Sequence, residues 1–371
     1  MEINKDRLCR ELKQLRNYYM GNPKKDMLRI DYPKFVILNK VFCDLTGFKF
    51  PEENIFDNPE EISRMLNKDV VKACYRYCGI LDEYLEIFFE LFENYCKKLD
   101  DVEYCDAPFF SKLRKYSEKD FIDILLSYYA TYGDKYYRLA KKYVDEGRIM
   151  MGYKTKEYTG MYVGTMYTGS GYIFNNDNRF NSLTMNTLAH ELGHAVDREM
   201  FIFPQKKRMT YYDDVFLEVP SAFFEFNFIN YLKKERIDQD GADILTNDLL
   251  LKISEAYGSI FSVLEDESDE KFNDIDLEGN VVLSSGTKIE FRDTLLYGLG
   301  YYTALHMHTL CGGDYKNYMK EFYNFISSRK EAGIEGSIEN LGISFEDYLS
   351  SEIIAPTIEE NALTLKKKYN L

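Results

Sequence analysis

The sequence predicts a mainly α-helical protein of two lobes with one small β-sheet. Apolar residues recur at three- and four-residue steps over most of the 371 positions, and the stretch from Arg148 to Asn176 alternates in part instead. Apolar residues make up 45% of the chain and aromatics 16%, enough to bury a sizeable core, while glycine and proline are sparse and scattered. The change in pattern near residue 147 predicts a helical N-terminal lobe, 1–147, and a second lobe, 148–371, packed together as one unit.

The elements follow in order. From Asp69 to Leu99 one stripe carries Cys74, Leu81, Leu85, Phe88, Phe92 and Tyr95, the mark of a long buried helix. A second helix is expected from Glu118, after the capping residue Ser117, to Asp145, with Gly147 as its stop. The segment YTGMYVGTMYTGSGYIF predicts short strands joined by glycine turns. Helical spacing resumes from Asn181 to Met200 and again over Glu218–Lys234, Ala242–Leu264, Arg292–Leu310 and Asp314–Lys330, with VVLSSGTKIEF as an intervening hairpin. Thr357 with Glu360 three residues later reads as a capping box opening the last helix.

Bulk properties exclude some functions. A formal charge of −15 and a pI near 4.9 oppose binding to nucleic acid, because phosphates must be met by clustered cations. No apolar run reaches membrane-spanning length, and the opening MEINKDRLCRELKQLRN lacks the apolar centre of a secretory signal, so a cytoplasmic protein with no membrane partner is expected. Seven cysteines, with Cys74, Cys78 and Cys96 on one apolar helix face, read as reduced core residues; a thiolate metal site would ask for a closely spaced pair that the chain lacks.

The chemistry lies in TLAHELGHAVD. On a helix, His190 and His194 project from one face a turn apart and can grip one zinc ion, while Glu191, offset by about 100° of helical rotation, leans toward the open side as a general base would. A catalytic zinc takes a third protein ligand and keeps one position for water. DDVFLEVPSAFFEFNF supplies that ligand: Glu218 and Glu225 are seven residues apart on one face, so one can bind metal, Glu218 being the choice here, while the other orients a ligand. Pro220 requires that the helix begin around Leu217 or kink.

Through HELGHA and FLEVPSAFFE, the chain resembles the oligoendopeptidase F and thimet oligopeptidase metallopeptidases. The resemblance implies a two-lobed helical metallopeptidase with a small sheet beside the zinc helix and a substrate cleft. It implies one zinc ion per chain held by His190, His194 and Glu218, with Glu191 as catalytic base. It also implies a tyrosine-rich helix that donates hydrogen bonds to substrate, which YGLGYYTALHMH resembles; Tyr297 and Tyr301 fall one turn apart there, although core packing would equally account for two tyrosines among 32. Where many members carry a histidine before the first tyrosine and a third tyrosine after the second, this chain has Arg292 and Ala304, and His308 is a possible substitute on the same face. TGSGYIFNN resembles the family's edge strand, which pairs with extended substrate. Asp197, where relatives often have histidine, either holds an imidazole or pairs with Arg198 on the helix surface. Residues 1–150 are shorter than the corresponding family region.

The function this implies is a zinc-dependent endopeptidase that cleaves oligopeptides with a water activated by Glu191. The alternatives are a zinc exopeptidase, which would need a charged group to anchor one substrate terminus, and a non-catalytic zinc-containing binding protein. The sequence leaves cleavage specificity and oligomeric state open.

Overall fold

The computed structural model describes residues 1–20, 25–50, 84–102, 110–154, 159–205, 216–264, 272–275, 281–283, 288–289, 296–328 and 333–369. It is mainly helical with two small three-stranded sheets. The chain divides into two compact units. One comprises Met1–Val70, Tyr116–Phe180 and Glu191–Arg208, and the other Val71–Lys115, Asn181–His190 and Met209–Leu371. This differs from the single cut expected after residue 147: the sheet groups with the N-terminal helices, because its side chains complete their core.

In the first unit, α1 (Lys5–Met20) and α2 (Lys25–Thr46) bury Leu8, Leu12, Leu15, Phe35, Leu38 and Val41 against Val163, Tyr172 and Phe174 of the sheet. Ser117 caps the next helix as expected, its hydroxyl accepting the Asp120 N–H at 3.1 Å. The single helix expected from Glu118 to Asp145 is two, α4 (Glu118–Ala130) and α5 (Asp134–Asp145). Gly133 separates them at φ 104°, a conformation that a side chain would strongly disfavour.

Strands β1 (Ile149–Met151), β2 (Gly160–Thr165) and β3 (Ser170–Asn175) follow in the order β1-β3-β2. β3 pairs parallel to β1 and antiparallel to β2. The TGSGYIFNN strand is therefore central rather than an edge, since β1 and β2 occupy its two hydrogen-bonding sides. All six of its residues are buried.

The second unit holds α3, described over residues 84–101, whose Leu85, Phe88, Phe92 and Tyr95 are buried as the stripe predicts. Cys74, Leu81 and Cys78 lie outside the described residues. Cys96 is a half-buried free thiol, pushed up to about 11 by burial and by Asp100.

Helix α6 (Ser182–Ala195) is capped by Asn181, whose side chain accepts the Thr184 N–H at 2.9 Å. It is one continuous helix through which the division between units passes. It leads into a π-helical turn, Val196–Ile202. Then come α7 (Val219–Lys234), α8 (Gln239–Leu264), α9 (Leu299–Cys311), α10 (Tyr315–Ser328), α11 (Gly333–Glu339), α12 (Phe345–Ser350) and α13 (Ala355–Tyr369).

The expected hairpin is present as β5 (Val281–Leu283) and β6 (Lys288–Ile289), joined by β4 (Phe272–Ile275), which the sequence pattern did not reveal. The capping box is not formed. α13 starts at Ala355, with Pro356 tolerated in its first turn, so Thr357 already lies inside the helix and its hydroxyl is 3.4 Å from that of Thr309. α7 is buried along nearly its whole length, with Phe223 and Phe224 packed on Phe322 of α10.

Candidate metal centre

Along α6, Asn186, His190 and His194 recur every four residues and so share a face. The second contribution comes from the start of α7. Glu218 is its N-cap, and Pro220, in the first turn, neither breaks nor kinks it. Ser221 fastens the cap, its hydroxyl donating to the Glu218 carbonyl at 2.9 Å and to Glu218 Oε2 at 3.2 Å.

These elements bring His190, His194 and Glu218 together, with one potential ligand atom from each lying within 4.8 Å of the others. Glu218 Oε2 is 3.2 Å from His190 Nε2. Two ligand atoms each about 2.1 Å from a tetrahedral zinc ion stand roughly 3.4 Å apart, so the pair is spaced as ligands of one ion. His190 and Glu218 are buried, which limits competition from solvent. Glu191, the residue after His190, is also buried.

Glu225, two helical turns beyond Glu218, supports the imidazole. Its Oε2 lies 2.8 Å from His190 Nδ1, and its Oε1 accepts the Asn186 amide at 2.8 Å. The Tyr301 hydroxyl also donates to Oε2. A carboxylate facing Nδ1 holds the proton on that nitrogen and leaves the Nε2 lone pair for a metal. Burial opposes ionisation of Glu225, yet the hydrogen bonds from His190 and Tyr301, with the Lys252 charge beyond, leave its carboxyl below the usual range. Burial, followed by the neighbouring Glu225 carboxylate, pushes the Tyr301 phenol well above its ordinary value.

Of the two tyrosines, Tyr301 thus directs its hydroxyl to Glu225. Tyr297 stands one turn away as expected, its ring stacked on that of Tyr301 at 6.3 Å, and is partly exposed. Asp197 is fully buried in the π turn and is no surface charge, and the second nitrogen of His190 goes to Glu225. His308 is no substitute at the site. Its Nδ1 lies 3.1 Å from Asn227 Oδ1, its ring stacks between Phe226 and Tyr318, and burial lowers its pKa to about 4. Arg292 lies outside the described residues.

The sequence reading missed three residues. Asn186 stands four positions before His190 and could have been found by extending the ligand face backward one turn. Lys252 of α8 places its ammonium 5.5 Å from the centre of the Tyr301 ring and 3.2 Å from Asp248, and no local signal announces it. Gly300 lies against Glu218, and a glycine amid the aromatics of YGLGYY was its only trace.

No family model matches the chain, and no curated protein matches it in sequence. Three solved structures are similar to it. A protein assigned as an oligoendopeptidase F from Bacillus anthracis gives a TM-score of 0.49 at 15% identity over 96% of this chain and 70% of its own. One assigned as a peptidase from Chlamydophila abortus gives 0.46 at 13% over 96% and 63%, and PZ peptidase A with an inhibitor gives 0.45 at 14% over 92% and 66%. The chain therefore spans roughly two thirds of their length.

Proposed function

We propose that the protein is a zinc-dependent endopeptidase acting on oligopeptides, with His190, His194 and Glu218 as the metal ligands and Glu191 as the general base. The observation that carries this reading is the gathering of three ligand atoms within 4.8 Å while His190 Nδ1 is held by a buried carboxylate. The donor set suits zinc: two neutral imidazoles and one carboxylate leave a position open, whereas a structural site would close it with protein. Bound there, zinc would act as a Lewis acid, polarising the scissile carbonyl and lowering the pKa of water.

The chain's own groups then divide the work. Glu191 takes the proton from the attacking water and delivers it to the departing amine, a task that needs a carboxylate able to cycle between two states. Glu225, with Asn186 and Tyr301 as its donors, keeps the His190 ring aligned. Tyr297, partly exposed beside Tyr301, is the hydroxyl we assign to the substrate carbonyl.

The test combines metal analysis of the purified protein with incubation in a mixture of unlabelled peptides, read by mass spectrometry with and without chelator. One zinc per chain is expected, with internal cuts that vanish on chelation and return with added zinc. Trimming confined to the termini would make it an exopeptidase. Stoichiometric zinc without any cut would make it a binding protein.

A further inference from the structure

The first turn of α9 packs against the start of α7. A Cβ placed on Gly300 would stand 2.7 Å from Glu218 Cβ, 3.2 Å from its carbonyl carbon and 3.4 Å from its Cα. A contact under 3.0 Å is not tolerated, and the Glu218 Cβ is fixed by its own backbone, so rotating the Glu218 side chain would not clear the space. Gly258, also inside a helix of the same unit, has nothing within 4 Å of the equivalent position.

We propose that Gly300 is a positioning residue of the metal centre: having no side chain, it lets α9 seat directly on Glu218 and so fixes where that carboxylate enters the ligand set. The inference rests on the reading of His190, His194 and Glu218 as a metal site. The next residue, Tyr301, donates to Glu225, which holds His190. One turn of one helix therefore sets two of the three ligands, Glu218 by contact and His190 through Glu225. Ordinary contact begins near 3.4 Å, so a methyl group at 300 would drive the two elements apart by about 0.7 Å. That exceeds the tolerance of about 0.5 Å within which a functional constellation must be held.

The experiment compares the full-length wild type with Gly300→Ala and Gly258→Ala, each checked for helicity by circular dichroism. Zinc affinity is measured by competition with a chromogenic chelator, and ligand geometry by the visible spectrum of the cobalt(II)-substituted protein. Gly300→Ala should lose zinc affinity by at least about tenfold and show an altered cobalt spectrum, while Gly258→Ala matches wild type. Wild-type affinity and an unchanged spectrum in Gly300→Ala would overturn the proposal, because a role in packing alone lowers stability without moving either reading. A wild type that binds no zinc would instead overturn the metal site itself.

Should Gly300→Ala fold poorly, the apo protein supplies a second test. Replacing Glu218 by Gly removes the nearest colliding atom, so adding Gly300→Ala to Glu218→Gly should lower the thermal midpoint far less than it does in wild type. An equal drop in both backgrounds would show that Glu218 is not what Gly300 accommodates.

Discussion

Tyr301 and Tyr302 are neighbours on α9, and they look in different directions. Tyr301 donates to the Glu225 carboxylate and stacks near His190, whose two ring nitrogens face Glu225 and Glu218. Tyr302 donates to the Tyr348 carbonyl and lies 2.9 Å from the Ser351 hydroxyl, with its ring against Tyr95, Tyr348 and His306. Both phenols are buried, 3% and 0% exposed, and each belongs to a cluster of aromatics with one histidine. The difference is charge. Carboxylates converge on His190, whereas His306 is fully buried and, among the described residues, neither of its ring nitrogens has a hydrogen-bond partner. Aromatic density alone therefore does not mark the site; the buried carboxylates facing an imidazole do.

The largest effect should come from Glu191, the proposed general base on the charged side. Glu191→Gln keeps the shape and removes the ability to accept a proton, so peptide cleavage should fall by about 10²- to 10⁴-fold with one zinc per chain retained. Near-normal turnover in that variant would reject the assignment. Next come the paired tyrosines. Tyr301→Phe removes one of the donors to Glu225 and should lower zinc affinity by roughly 10- to 100-fold. Tyr302→Phe should leave it unchanged while destabilising the fold by about 1–3 kcal/mol, since a buried carbonyl loses its partner. Chelator competition and urea unfolding on the two proteins would read this contrast, and equal zinc affinities would break it.

Which parts of this were legible in the sequence follows from how locally each is determined. His190, Glu191 and His194 are spaced by a single helix, so four residues of separation were enough to place the two imidazoles on one face. Glu225 was visible for the same reason, seven residues after Glu218, as a carboxylate with no place on so apolar a helix unless partnered. The direction of the Tyr301 hydroxyl was not visible, because it depends on α9 crossing α7. Gly300 is the clearest case: its meaning appears only when another backbone arrives beside it. The same distinction explains the secondary-structure differences. Gly133 splits a helix whose apolar spacing runs on through it, and Pro356 moves the start of α13 ahead of the threonine that otherwise reads as its cap.

The last expected effect is in pH dependence, and it belongs to the uncharged side of α9. Burial lowers the His306 pKa to about 3, against about 6.5 for an exposed histidine. Between those values the unfolded chain holds a proton at this position that the folded protein does not. The group's contribution is therefore complete above pH 6.5 and is lost as pH falls toward 3, by about 1.4 kcal/mol for each pH unit. Urea midpoints measured from pH 7.5 down to pH 5 should decline in wild type. The decline should be shallower in His306→Phe, which keeps a ring between Tyr302 and Tyr348 but cannot be protonated. Parallel acid limbs in the two proteins would mean that His306 is solvated or partnered in the folded state, and the contrast between the two histidines would then be one of geometry rather than of charge.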